Sequence, residues 1–314
     1  MRIVFMGTPD FAASALQKLI EHKKIPVGVV TQPARAVGRG LKTQPSEVET
    51  VAQEHGIPVL AVESVNTPEA LAQLRVWNPD LILVAAFGQL LKNDVLTLPR
   101  FGCLNVHGSL LPKYRGAAPI QRAILEGEKE TGITIQRMVR KLDAGDILLM
   151  RTVPIGAKET SGELFARLAK LGGECLVDAV NSVEANTAVY LPQDEARATH
   201  AAKLSKAEAI IDWHKTATEI ERAIRAFQPW PVAETRLGGE RLKIFSAEVL
   251  PQNLPHPPGT LVSDSKSLLH VACGVGTALA LTQIQLENRK KLETREFLMA
   301  YRGNFPFSSF DSGR

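Results

Sequence analysis

Two hydrophobic periodicities alternate along the first half of the chain. Continuous apolar runs at 2–6, 27–30, 57–61 and 81–86 read as strands, and the last is wholly aliphatic, as in a parallel strand buried on both faces. Between them, apolar residues recur at helical spacing over 11–22, 45–55 and 68–77. In the first of these, Phe11, Ala15, Leu16, Leu19 and Ile20 share one face, with Asp10 as the expected N-cap. Thr67 and Pro68 supply a cap and a first-turn proline for the third helix. Strand alternating with helix predicts a doubly wound, mostly parallel α/β sheet of Rossmann-like type. The pattern continues with an apolar strand entered at Phe101 and centred on 103–106, a helix over 117–125 and strands at 132–138 and 147–155. A long helix over 161–185 follows.

The second half changes character. Residues 190–206 are polar and loosely patterned, which reads as a linker. After an amphipathic helix over 216–227, short strands follow at 233–237, 242–250, 260–262, 268–272 and 277–285, separated by glycine turns. Short strands at this spacing predict a small β-barrel, with the oligonucleotide-binding type as the leading form. The expected division is therefore a first domain over 1–189, a linker over 190–208 and a β-barrel domain over 209–314.

Composition narrows the function classes. The chain has 314 residues, 45% hydrophobic and 22% charged, the profile of a soluble globular protein. Cys103, Cys175 and Cys273 are widely spaced, so neither a disulfide framework nor a zinc site is signalled, and no metal is expected. The longest apolar run, 81–91, contains Gln89 and is too short to span a bilayer. The chain enters a strand at once, leaving no room for a signal peptide, so a reducing cytoplasm is the expected compartment. With a net charge of +4, any nucleic-acid binding must come from local patches. One such patch is the long loop 31–45, which carries Arg35, Arg39 and Lys42, with no acidic residue and Arg39 set between two glycines. Arg289-Lys290-Lys291 is another. Either is also compatible with a plain solvated surface.

The candidate chemistry sits where the strand at 103–106 breaks into a loop at Gly108. Side chains alternate faces along a strand, so Asn105 and His107 point the same way. In open α/β sheets this edge is where ligands bind. A dinucleotide is not indicated, because Gly7 is followed by Pro9 in place of the glycines that a pyrophosphate needs. An amide N–H stabilises a developing oxyanion, and a neutral imidazole can move a proton. A carboxylate such as Asp143, in the turn 141–146, can fix the tautomer of an imidazole. The same turn is also ordinary turn chemistry. If the substrate brings its own amine, the set suits direct acyl transfer without a serine or cysteine nucleophile. Spacing alone does not name the acyl group.

The stretch Asn105-Val106-His107-Gly108-Ser109-Leu110-Leu111-Pro112, followed by Leu142-Asp143-Ala144-Gly145-Asp146, resembles the signature of folate-dependent formyltransferases. The resemblance implies catalytic roles for Asn105, His107 and Asp143, with Asp143 and not Asp146 as the functional carboxylate. It places Ser109, Leu110, Leu111 and Pro112 in a loop against the folate, and Phe87, Gly88, Gln89 and Leu90 in a segment seating its pterin. The one-carbon donor it implies is 10-formyltetrahydrofolate. The segments Met6 to Phe11, Tyr114 to Pro119, Lys203 to Lys206, Ile211 to Trp213 and Gln228 to Pro231 extend the likeness over nearly the whole chain. They are similar to those of family members that formylate initiator methionyl-tRNA. On that likeness the loop with Arg35, Arg39 and Lys42, together with Lys206 and Lys290, is expected to contact tRNA, and a monomer is expected.

Overall fold

The computed structural model describes residues 1–37, 42–264, 266–301 and 305–311. The chain divides into two compact units. The first comprises Met1–Pro119, Glu130–Pro154 and Phe165–Ala201, and the second Ile120–Lys129, Ile155–Leu164 and Ala202–Arg314.

In the first unit β1 (Ile3–Gly7), α1 (Asp10–Glu21) and β2 (Gly28–Thr31) lead to a short hairpin, β3 (Arg35–Val37) and β4 (Lys42–Gln44). α2 (Glu47–Glu54), β5 (Val59–Ala61), α3 (Pro68–Trp77), β6 (Leu81–Ala85), α4 (Asn93–Leu96) and β7 (Cys103–His107) follow. Then come β8 (Arg115–Gly116), α5 (Pro119–Glu126), which beyond Pro119 belongs to the second unit, β9 (Glu130–Arg137), β10 (Ile147–Pro154), α6 (Ser161–Glu184), which is in the first unit from Phe165 on, and β11 (His200–Ala201). The main sheet has the order β10-β9-β7-β6-β1-β2-β5. Pairing is parallel from β5 through β7 and antiparallel at β9 and β10. β1 has β2 on one side and β6 on the other, so the chain reverses its direction of travel there, the kind of switch point at whose carboxyl edge open α/β sheets bind ligands.

The sheet is apolar on both faces, as the aliphatic runs predict. Val4, Met6, Ile82, Val84 and Cys103 form a cluster with Leu71, Leu74 and Trp77 of α3. Phe5, Leu83, Leu104, Val106, Ile133 and Ile135 are likewise buried. On that side α6 approaches closely enough that a β-carbon on Gly172 would meet Val106, Phe11 and Ile133 at 3.0–3.6 Å. Each fully buried side chain of this size contributes about 1.5–3 kcal/mol, so the sheet interior is the principal source of stability.

Three local differences from the sequence reading have plain causes. The N-cap of α1 is Pro9, and Asp10 is the first helical residue with no side-chain cap bond. Its carboxylate instead sits in the first turn, where the helix dipole favours negative charge. The described part of the basic loop includes the β3–β4 pair, with Val37 opposite Lys42, whose three-residue strands are too short to show alternation. Part of the segment expected as a linker is tied into the first unit. Leu191 pairs with Ile147 through two backbone hydrogen bonds of 2.8 and 2.9 Å, and β11 pairs with β8.

In the second unit α7 (Ala217–Ala226) opens with a reciprocal Thr216–Glu219 capping box. β12 (Glu234–Leu237), β13 (Glu240–Val249), β14 (Leu261–Ser263), β15 (Leu269–Ala272) and β16 (Ala278–Leu286) form an antiparallel sheet in the order β12-β13-β16-β15-β14. β17 (Leu292–Glu293) adds to β16 and leads into α8 (Thr294–Met299), two elements that the hydrophobic pattern does not announce. The aromatic tail closes over this sheet: Phe310 stacks on Trp213 at 4.9 Å, and the Asp311 carboxylate accepts the amides of Gly238 and Gly239. Among the described residues no helix is long and apolar enough to cross a membrane.

Burial pushes the thiols of Cys103 and Cys273 up to about 12 and that of Cys175 up to about 11. Since the thiolate is the reactive form, all three are expected to resist iodoacetamide at about pH 7.5 in the native protein and to react once it is denatured, as read by mass spectrometry. A second expectation concerns Gly28, where a β-carbon would lie 2.5 Å from the Trp77 ring. Gly28→Ala should destabilise the protein by about 1–3 kcal/mol in urea unfolding, the usual cost of overpacking.

Candidate active site at the carboxyl edge of the parallel sheet

β7 and β9 together build the floor of the site. Their antiparallel register places Asn105 opposite Gln136 and His107 opposite Thr134, so all four project from one face. Immediately after β7 the chain folds into the loop 108–114, pinned from below by Thr134. That hydroxyl donates to the Ser109 carbonyl at 2.7 Å and accepts the Leu111 amide at 3.2 Å. Ser109 is fully buried, and its own hydroxyl donates to the Lys113 carbonyl at 2.7 Å. Leu111 lies in the core, whereas Leu110 and Pro112 are half-buried. The peptide bond between Leu111 and Pro112 is cis.

His107 is 5% exposed. Its Nε2 lies 2.9 Å from the Tyr114 carbonyl oxygen. A carbonyl can only accept, so Nε2 carries the hydrogen, and in the neutral ring the lone pair is on Nδ1. Nδ1 faces Asp143 Oδ2 at 3.7 Å, beyond a direct hydrogen bond. The carboxylate is held from two sides: Gly116 N–H donates to Oδ2 at 2.8 Å, and Gln136 Nε2 donates to Oδ1 at 2.9 Å. Asp143 itself adopts a left-handed backbone with φ of 50°, which Asp tolerates better than most residues. The turn is tight. A β-carbon on Gly145 would collide with the carbonyl oxygen of Arg137, so only glycine fits there. Asn105 is half-buried, and among the described residues its side-chain amide makes no hydrogen bond, leaving both N–H groups uncommitted.

The second candidate segment follows β6. Phe87 is a core residue, and its carbonyl accepts Gln32 Nε2 at 2.8 Å, which ties the loop after β6 to that after β2. Gln89 clamps the neighbouring loop through the Val65 amide at 2.7 Å and the Val62 carbonyl at 3.0 Å. Gly88 is exposed, and Leu90 is 71% exposed, a large apolar side chain presented to solvent.

Sequence reasoning missed several parts of this site. Gln136 passes in the sequence for a solvent-facing strand residue, yet it is buried and bonded to Asp143. Gln193 lies in the expected linker, yet it reaches the carbonyls of Asp143 and Gly145 at 2.9 and 2.7 Å. Buried Arg115 binds Glu195 with two hydrogen bonds, and Lys141 joins at 2.7 Å. Arg115 first, then Lys141, hold the Glu195 carboxyl down at about 2. Only Gln136 left a signal in the sequence. Alternation along β9 sets it on the face opposite to Ile133 and Ile135, and the register with β7 makes that the face of Asn105.

The basic residues are distributed differently. Arg39 lies outside the described residues. The backbones of Arg35 and Lys42 belong to the hairpin, and their side chains also lie outside the description. Lys206 is exposed on a single helical turn and Lys290 on the turn after β16. Lys291 lies over the Phe245 ring at 4.9 Å. Among the described residues no group of His, Cys, Asp and Glu could hold a metal ion. A cleft of about 550 Å³ in the second unit is lined by Arg122, Lys215 and Arg222, but also by Glu126, Glu208, Asp212 and Glu219. Carboxylates outnumber cations there, so it is a poor cradle for phosphate.

Known proteins match nearly the whole chain. The family model described as formyl transferase covers residues 1–180, and that described as formyl transferase, C-terminal domain, covers 203–302. Methionyl-tRNA formyltransferase of Methylococcus capsulatus is 47% identical over 96% of this chain and 97% of its own length. That of Marinobacter nauticus is 49% identical over 92% and 93%. Among solved structures, a sugar 3N-formyl transferase superposes with a TM-score of 0.68 at 18% identity, covering 92% of this chain and 99% of the other. Methionyl-tRNA formyltransferase from Clostridium thermocellum gives 0.55 at 18% identity, covering 79% and 93%. Agreement across both halves, at such identity to full-length relatives, places the chain in the formyl transferase family.

Proposed function

We propose that the chain transfers the formyl group of 10-formyltetrahydrofolate to the α-amine of initiator methionyl-tRNA. The observation that carries the reading is the Asn105–His107–Asp143 constellation at the carboxyl edge of the sheet, in a chain of this family. The donor supplies a formyl group on a weakly basic arylamine nitrogen. The segments 87–90 and 109–112 are assigned to the donor: exposed Leu90 and half-buried Leu110 offer apolar surface to a flat heterocycle.

The roles follow from which atoms are uncommitted. Asn105 donates an N–H to the formyl oxygen, which gains negative charge as the amine adds. His107 Nδ1 takes the proton that the amine loses, because Nε2 is engaged by the Tyr114 carbonyl. Asp143, 3.7 Å from that Nδ1, stabilises the imidazolium that forms when the proton arrives. The proton then leaves with the arylamine nitrogen as its bond to the formyl carbon breaks, so one C–N bond forms and one is lost. We assign residues 1–189 as the catalytic domain, 190–208 as the connection and 209–314 as the tRNA-binding domain. Arg35, Arg39, Lys42, Lys206 and Lys290 are assigned to tRNA, on the ground that phosphate contacts need exposed cations. The enzyme is assigned as a cytoplasmic monomer.

The test is a formyl-transfer assay with purified protein, 10-formyltetrahydrofolate and charged methionyl-tRNA, beside free methionine and a sugar amine. Formylation of the charged tRNA alone is expected; transfer to the sugar amine instead would overturn the acceptor assignment. His107→Ala should lower turnover by about 10²–10⁴-fold, and a variant with wild-type turnover would remove His107 from the mechanism. Arg39→Ala should raise KM for tRNA, leave that for folate in place and flatten the log–log salt dependence by about one unit. An unchanged slope would remove Arg39 from the tRNA contact.

A further inference from the structure

Gln193 occupies a junction that the proposed chemistry does not use directly. Its Oε1 accepts Arg115 Nε at 3.1 Å and Nη2 at 2.8 Å. With the oxygen committed to the guanidinium, the amide orientation is fixed, and Nε2 must face the other way. There it donates to the carbonyls of Asp143 at 2.9 Å and Gly145 at 2.7 Å, with Gln136 Oε1 further off at 3.3 Å. Gln136 in turn donates to Asp143 Oδ1. Arg115 is locked from behind by Glu195, and Gln193 is carried on a segment fastened to Ile147 through Leu191.

We propose that Gln193 is a positioning residue for the formyl transfer: it holds the 143–145 turn so that the left-handed Asp143 presents its carboxylate to His107 Nδ1. This rests on the reading of His107 and Asp143 given above. Two carbonyls pointing at one place repel each other unless a donor stands between them, and the Gln193 amide is that donor. It cannot be replaced by its acid. A glutamate would keep the Arg115 contact, and even strengthen it, while turning a second oxygen toward both carbonyls. The turn, and with it the carboxylate, would have to move, and a displacement of about 1 Å in a catalytic group can cost on the order of 10²-fold in rate.

The test combines Gln193→Glu, Gln193→Ala, Asp143→Asn and the Gln193→Ala/Asp143→Asn double variant. Each would be measured for kcat, for both KM values and for the pH profile of kcat, with rates referred to the folded fraction by folate binding. Each Gln193 variant is expected to lose roughly 10²-fold in kcat, with KM values changed much less and a displaced pH profile. The double variant is expected to be no slower than Asp143→Asn, since groups acting as a unit are not additive. Gln193→Glu at wild-type kcat, or Gln193→Ala effects that multiply in full with those of Asp143→Asn, would overturn the inference. So would a merely less stable variant whose folded fraction keeps the wild-type profile. Wild-type turnover in Asp143→Asn would instead overturn the catalytic reading, so the two failures are distinguishable.

Discussion

Everything at the proposed centre depends on the register between β7 and β9. The two strands run antiparallel where the parallel part of the sheet ends, and Asn105 meets Gln136 while His107 meets Thr134. Side chains repeat every second residue on a strand. A slip by one position would therefore bury polar groups in the apolar layer and turn Val106 and Ile135 toward the site. The slip is opposed by the apolar face, where Leu104, Val106, Ile133 and Ile135 are all buried. Hydrophobic burial on one side of the sheet thus fixes polar chemistry on the other.

The same division explains what the amino-acid sequence shows and what it hides. Leu81 to Ala85, Cys103 to His107 and the strands of the second unit are visible because their apolar side chains carry a period. Asn105 and His107 are legible because a strand position implies a face, and Asp143 because of its likeness to a family pattern. β3, β4, β8, β11 and β17 have two or three residues each, too few for any period. Their existence rests on hydrogen bonds to partners elsewhere in the chain. The bond from the Tyr114 amide to the Thr199 hydroxyl, beside β8 and β11, spans 85 positions. Gln193 is hidden for a related reason. A polar side chain gives no local sign that it will be buried, and only the partner that satisfies it reveals the role.

Polar burial here is organised in a graded way. Glu195 is exposed and keeps its charge through Arg115 and Lys141. Arg115 is buried, but among the described residues its guanidinium bonds only to a carboxylate and to an amide oxygen. Gln193 and Gln136 then carry the network inward as neutral groups, so the charge that reaches His107 is that of Asp143 alone. A single interior carboxylate next to an imidazole is easier to accommodate than a chain of buried ions, each of which costs several kcal/mol of desolvation.

The fastening of residues 190–201 to the first unit separates the building of its core from the closing of its polar turn. The family match for the first domain ends at residue 180, and the sheet, both its apolar faces and the helix α6 are nearly complete by then. The carbonyls of Asp143 and Gly145 still lack their donor at that point, and β8 lacks its partner. A chain cut at residue 180 would therefore hold the strands of the sheet without the donor that closes the 143–145 turn. The closing donor belongs instead to a short segment that contributes little to the core and reaches the turn from outside.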